Sequence, residues 1–146
     1  MEHIIIIGNG ISGVTLARHV RKLSDKKITI ISAESDYFFS RTALMYVYMG
    51  HMKFKHTQPY EDWFWKKNRI ELVKGYVEKV DPPSKIIHLA NGTTLSYDKL
   101  VIATGSKPNK FGWPGQDLPG YKASIPNKIW KHLKKTPPII WYANGP

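Results

Sequence analysis

The stretch HIIIIGNGISGVTLARHV at residues 3–20 constrains the fold more than any other part of the chain. Its isoleucine run is β-branched and uniformly apolar up to Gly8, the pattern of a parallel strand buried on both faces. Apolar residues then recur at Ile11, Val14, Leu16, Ala17, Val20 and Leu23, the stripe of an amphipathic helix. A polar connector, SDKK, leads into a second β-branched run, ITIISAE. Strand, helix and strand within about 30 residues make a β-α-β unit, which implies a parallel sheet and a right-handed crossover.

Where the first strand meets the helix, Gly8, Gly10 and Gly13 spell G-x-G-x-x-G, with Ser12 inside the motif. An acid, Glu34, lies at the end of the second strand, 21 residues beyond Gly13. This context is what a dinucleotide fingerprint requires. Gly8 permits the tight turn, Gly10 lets a pyrophosphate approach the backbone, and Gly13 lets helix and strand pack closely. The first-turn N–H groups point at the phosphates and the helix dipole favours their charge, while Glu34 is placed to accept bonds from ribose hydroxyls. The plain alternative is a glycine-rich turn with an incidental acid. Neither reading says which dinucleotide is bound.

The rest of the chain narrows the choice. Residues 37–67 are aromatic; a helix is expected at about 41–49 and another opening near Pro59, where proline suits a first helical turn. IELVKG reads as a third strand. YVEKV, KIIHLA and TTLSY follow, joined by DPPS and by NG, and predict a small antiparallel meander. KLVIATG is a further buried strand ending in glycine. Beyond Gly105 a Pro/Gly-rich loop, a short helical stretch KIWKHLKK and a strand start PPIIWYANGP are expected. None of the tyrosines has lysine four residues later, so a short-chain dehydrogenase is excluded, and a simple nicotinamide domain would not interrupt its β-α-β units with a meander.

These segments, IIIIGNGISG with Glu34, YFFSRTALMYVYMG, IELVKGYVEKVD and NGTTLSYDKLVIATGSKP, together resemble the two-dinucleotide-domain flavoproteins, the pyridine nucleotide–disulfide oxidoreductase superfamily. The resemblance covers nearly all of residues 3–109. It implies an α/β fold: a Rossmann-like parallel sheet with helices and an inserted antiparallel meander, forming the FAD-binding domain over 1–120, with 121–146 a basic linker or tail. It implies non-covalent FAD as cofactor and NAD(P)H as co-substrate of a full-length relative, with the hydride passing through the flavin to an acceptor. Gly8, Gly10, Ser12 and Gly13 are similar to the FAD pyrophosphate loop, and Glu34 to the partner of the adenosine ribose. Arg41 is similar to an arginine that helps hold FAD, or is a surface cation near a helix start. Val77 matches the position whose backbone meets the adenine ring, and Ala103, Thr104 and Gly105 the ATG turn beside the cofactor. No catalytic side chain is assigned.

Departures from the family pattern also inform. With no cysteine, a dithiol of the C-x4-C type and disulfide reduction by it are out. Tyr46 stands where some reductases place a lysine near the flavin. The second glycine fingerprint of the family is missing, and the tail from about Tyr121 loses the resemblance, so a truncated product with an unrelated end is expected. Such a chain would lack efficient NAD(P)H turnover, because nothing positions the hydride donor. It would leave an apolar face open to a second domain or a second copy.

Charge adds little. Of the net +11, residues 122–146 supply five lysines that face no acid; without them 17 basic residues stand against 11 acidic ones. A solvated basic surface explains this as well as an anionic partner does. His51 and His56, five apart, do not share a helix face, so no metal site is expected. In the aromatic and basic segment 51–67, Trp63 and Phe64 are expected to pack under a helix with the lysines in water, which disfavours a nucleic-acid or membrane-surface role. No signal peptide or membrane span is legible, and a cytoplasmic placement is expected, with a peripheral membrane location left open. Three function classes therefore remain: an FAD-dependent oxidoreductase domain, a non-catalytic nucleotide-binding module, and a basic nucleic-acid or membrane-surface binding protein.

Overall fold

Two β-branched runs and a third strand lie side by side in a computed structural model, which describes residues 1–106 together with Gly112 and Pro114. The expectations for the tail beyond these residues lie outside the described part. Strand β1 (His3–Ile7) leads through the glycine loop into helix α1 (Ile11–Leu23), and β2 (Lys27–Ser32) returns parallel to β1. A long connection carries the short helices α2 (Leu44–Tyr48) and α3 (Asp62–Lys67) before β3 (Ile70–Lys74). Strands β4 (Val77–Asp81), β5 (Ile86–Leu89) and β6 (Thr94–Ser96) form the antiparallel meander, and β7 (Lys99–Ile102) rejoins the parallel sheet beside β1. The orders are β3-β2-β1-β7 and β4-β5-β6.

Alternation along the strands builds the layers. Ile4, Ile6, Ile28, Ile30 and Ile70 point to one face, where they bury Val14 and Ala17 of α1 together with Phe38 and Trp65. Ile5 and Ile31 point to the other face and meet Ile87 and Leu89 of the meander. The parallel sheet is thus covered on both sides, which is why β1 can be apolar at every position from Ile4 to Ile7. Thr29 is a polar residue on a central strand. Thr29 is fully buried, accepts from or donates to His3 Nε2 at 2.8 Å and donates to Glu71 Oε2 at 2.8 Å. A hydroxyl has one proton, so if Thr29 gives it to the carboxylate the imidazole must carry its hydrogen on Nε2.

Departures from the expected elements have local causes. Helix α2 is shorter than 41–49 because its entry is made of tight turns, with Ala43 N–H bonded to Ser40 O and Leu44 N–H to Arg41 O, both at 3.2 Å. A 3-10 turn at Phe54–Thr57, not expected from the pattern, precedes α3, and α3 opens at Asp62 rather than at Pro59. Ile11 and Leu23, at the two ends of the α1 stripe, are exposed. The expected burial of Trp63 is corrected: Trp63 is 56% exposed, Trp65 is 3% exposed and Phe64 is half-buried. Residues two apart on a helix differ by about 200°, so turning Trp65 toward the core turns Trp63 away from it. No helix among the described residues is long and apolar enough to cross a membrane.

Candidate nucleotide-binding site at the carboxyl edge of the sheet

All four parallel strands point their carboxyl ends the same way, and the sequence-predicted residues follow those ends. Gly8 follows β1, Glu34 follows β2, Val77 lies just past β3, and Ala103, Thr104 and Gly105 follow β7. The chain runs from β1 outward to β2 and β3 and later returns to β7 on the opposite side of β1. Strand order therefore reverses at β1, and open α/β sheets bind ligands in the crevice at such a switch point.

The loop glycines are there for different reasons. Gly8 has φ +114°, and a Cβ on it would stand 2.2 Å from the carbonyl oxygen of Ala103. A Cβ on Gly13 would stand 2.1 Å from the carbonyl oxygen of Gly8. Both are therefore demanded by the fold. Gly10 is different: its φ is −72°, a value open to any residue, and a Cβ there would meet nothing within 4 Å. Helix α1 begins at this open point with no side-chain cap and no acid in its first turn. Gly10 supplies only its carbonyl, which accepts from Val14 N–H at 3.0 Å. Ser12 is exposed in that first turn.

Glu34 and Arg41 are brought together. An Arg41 guanidinium nitrogen, Nη2, donates to Glu34 Oε2 at 2.5 Å, and the guanidinium carbon lies 5.5 Å from the centre of the Phe39 ring. Phe39 is buried, so the ring that steadies Arg41 is itself fixed. Arg41 is exposed near the start of α2 and is paired with the acid.

The ATG turn divides. Ala103 N–H is bonded to Ile7 O at 2.8 Å and its carbonyl packs against Gly8, so its main chain is spent on joining β1 to β7. Thr104 and Gly105 are exposed beyond it, and Gly105 takes φ +74° with open space around it. Val77 pairs with Leu89 and packs partly into the apolar layer between the sheets.

Asn9, the middle residue of GNG, was not singled out by sequence. Its Nδ2 donates to the carbonyl oxygen of Ser35 at 3.0 Å and to Ser35 Oγ at 3.1 Å, 26 residues away. Asparagine in a glycine turn reads as a local turn former, and nothing in the pattern discloses a partner so distant. Among the described residues no group of three or more His, Cys, Asp or Glu side chains is placed to hold a metal ion.

Comparison with known proteins agrees with this geometry. The family model described as pyridine nucleotide-disulphide oxidoreductase matches residues 2–136. A sulfide-quinone reductase of Aquifex aeolicus is 35% identical over 117 residues, which are 80% of this chain and 27% of that protein. The ferredoxin–NAD(+) reductase subunit of the Pseudomonas putida benzene 1,2-dioxygenase system is 32% identical over 121 residues, 82% of this chain and 30% of that one. The crystal structure of the sulfide:quinone oxidoreductase from Aquifex aeolicus superimposes with a TM-score of 0.77 at 32% identity, covering 92% of this chain and 31% of that one. A ferredoxin reductase structure from Rhodopseudomonas palustris gives 0.80 at 23% identity, a likeness of fold, over 92% of this chain and 34% of that one. The chain therefore spans about a third or less of the length of these relatives.

Proposed function

The chain belongs to the pyridine nucleotide-disulphide oxidoreductase family, and on that premise we propose that it forms the FAD-binding part of an FAD-dependent NAD(P)H oxidoreductase. The observation that carries this reading is Gly10. The fold gives no conformational or steric reason for glycine there, and the space a side chain would take is open. A pyrophosphate is a group that needs that space, and the fit of the surrounding residues supports it.

Each part of the edge has a share in the binding. Backbone N–H groups in the first turn of α1 face the diphosphate, with no acid nearby to compete. Glu34, held by Arg41, accepts the hydroxyls of the adenosine ribose. Thr104 and Gly105 offer main-chain atoms where the cofactor leaves the loop, and Val77 places backbone near the adenine. When bound, FAD supplies a two-electron acceptor for hydride from NAD(P)H. What this chain's residues contribute is binding and orientation; the hydride donor and the final acceptor are met by parts of the family fold beyond the third that the chain spans.

The test is reconstitution of the 146-residue chain with FAD. A yellow protein that releases stoichiometric FAD on denaturation, and a folded but colourless Gly10→Val variant, support the reading. A wild-type chain that stays folded and takes up no FAD overturns it. Consumption of NADH then separates an oxidoreductase domain from a nucleotide-binding module without turnover.

A further inference from the structure

Glu34 sits past the end of β2, where no ladder holds the chain: residues 33–36 lie outside regular structure. Its neighbour Ser35 is nevertheless buried. On its own side of the turn Ser35 has only a long contact, its N–H to Ser32 Oγ at 3.4 Å. The firm hold comes from the glycine loop, where Asn9 Nδ2 reaches both the carbonyl oxygen and the hydroxyl of Ser35. The Ser35 carbonyl is an acceptor only, so it fixes which end of the Asn9 amide faces it. Both amide hydrogens are then committed to the residue beside Glu34.

We propose that Asn9 is a positioning residue that sets the distance between the pyrophosphate loop and the ribose-reading carboxylate, so that an adenosine diphosphate group is gripped at both ends together. This rests on the reading of the glycine loop as a dinucleotide site. Asn9 stands between Gly8, whose backbone is locked against Ala103, and Gly10, whose open face receives the diphosphate. A side chain at this position is anchored by the fold on one side and touches the ligand's seat on the other. By holding Ser35 it transmits that anchorage to Glu34. Without it the backbone that carries Glu34 is no longer tied to the glycine loop although the Arg41 pair remains, and the ligand must spend binding energy on restoring the spacing.

ADP is the probe, because it carries both groups that the clamp spans. Titration calorimetry of the full chain measures its affinity for wild type, Asn9→Ala, Glu34→Ala and the double variant, with unliganded melting temperatures alongside. The Asn9→Ala change is expected to weaken ADP binding about five- to tenfold, the scale of one hydrogen bond. In the Glu34→Ala background the same change is expected to cost less than about twofold, because the group being positioned is gone. Ser35→Ala keeps the main-chain acceptor and is expected to lose less than Asn9→Ala does. If Asn9→Ala costs the same with and without Glu34, or costs nothing, the positioning role is overturned while the nucleotide site stands. If wild type binds neither ADP nor FAD, the reading of the loop falls and the inference with it.

Discussion

The α-carbon of Gly8 lies so close to the carbonyl of Ala103 that an added Cβ would stand 2.2 Å from its oxygen, whereas two residues later Gly10 faces open space. Glycines that look equivalent in the motif are therefore separable by mutation. Gly8→Ala must both adopt φ +114° and displace backbone of β7, and is expected to cost more than about 2 kcal/mol of stability. Gly10→Ala changes only a helix N-cap and is expected to cost less than about 1 kcal/mol while weakening FAD binding. Urea unfolding of both variants, read beside flavin uptake, checks the split; equal stability losses would contradict it.

Arg21, at the end of α1, gathers backbone carbonyls from separate loops. Its Nε donates to Asn68 O at 2.7 Å, Nη1 to Ser24 O at 3.0 Å, and Nη2 to Lys26 O at 2.7 Å and Arg69 O at 2.9 Å. The planar fork ties the entry of β2 to the entry of β3, a geometry lysine cannot copy. Arg21→Ala is expected to destabilise by about 2–4 kcal/mol, and Arg21→Lys to recover little of it. Chemical denaturation midpoints measure both.

The tryptophans of α3 should respond oppositely to truncation. Trp65 is 3% exposed and packs edge-on against Tyr60 and Phe64, with ring centres 5.7 and 5.3 Å away. Trp65→Ala is expected to cost about 3–5 kcal/mol. Trp63 is 56% exposed, with Lys67 Nζ 5.3 Å from its ring centre, and Trp63→Ala is expected to stay within about 0.5 kcal/mol.

Stability is expected to fall on mild acidification through His3. Burial, and then the charge of Lys27, hold its imidazole below the ordinary value of 6.5. The unfolded chain therefore binds more protons than the native one just below that value. The stabilising contribution is whole above pH 6.5 and is lost as the pH falls through 6.5 toward the lower value of the folded protein. Urea midpoints compared at about pH 7.5 and about pH 5.5 should differ in wild type, and by less in His3→Gln. An equal difference in both would place the pH dependence elsewhere.

Much of the fold could be read before any coordinates. Helix α1 occupies the residues expected of it, NG closes the meander turn, and the strands run within a residue or two of their expected segments except β7, which stops at Ile102, short of Gly105, and is not the buried strand expected, Ile102 being 68% exposed. These features are local: a period of 3.6 or 2, a turn residue, a glycine at a strand end. The connection between β2 and β3 was read less well, because short helices of five and six residues carry too few turns for periodicity to fix their faces. Trp63 and Trp65 are the clearest case, since only the position of the core tells which of them is turned inward.

The sequence by itself determined a strand, a glycine loop and a helix in the order of a dinucleotide fingerprint, followed by an acid just past the second strand. That much is written in residue type and spacing. Only the tertiary structure decided that Gly8 and Gly13 serve the fold while Gly10 faces open space, that Arg41 pairs with Glu34, and that Asn9 grips Ser35. Gly8 meets Ala103 because β7 returns beside β1, and Asn9 meets Ser35 because parallel pairing sets the ends of β1 and β2 together. Contacts between residues remote in sequence depend on strand order and register, and no local pattern encodes those.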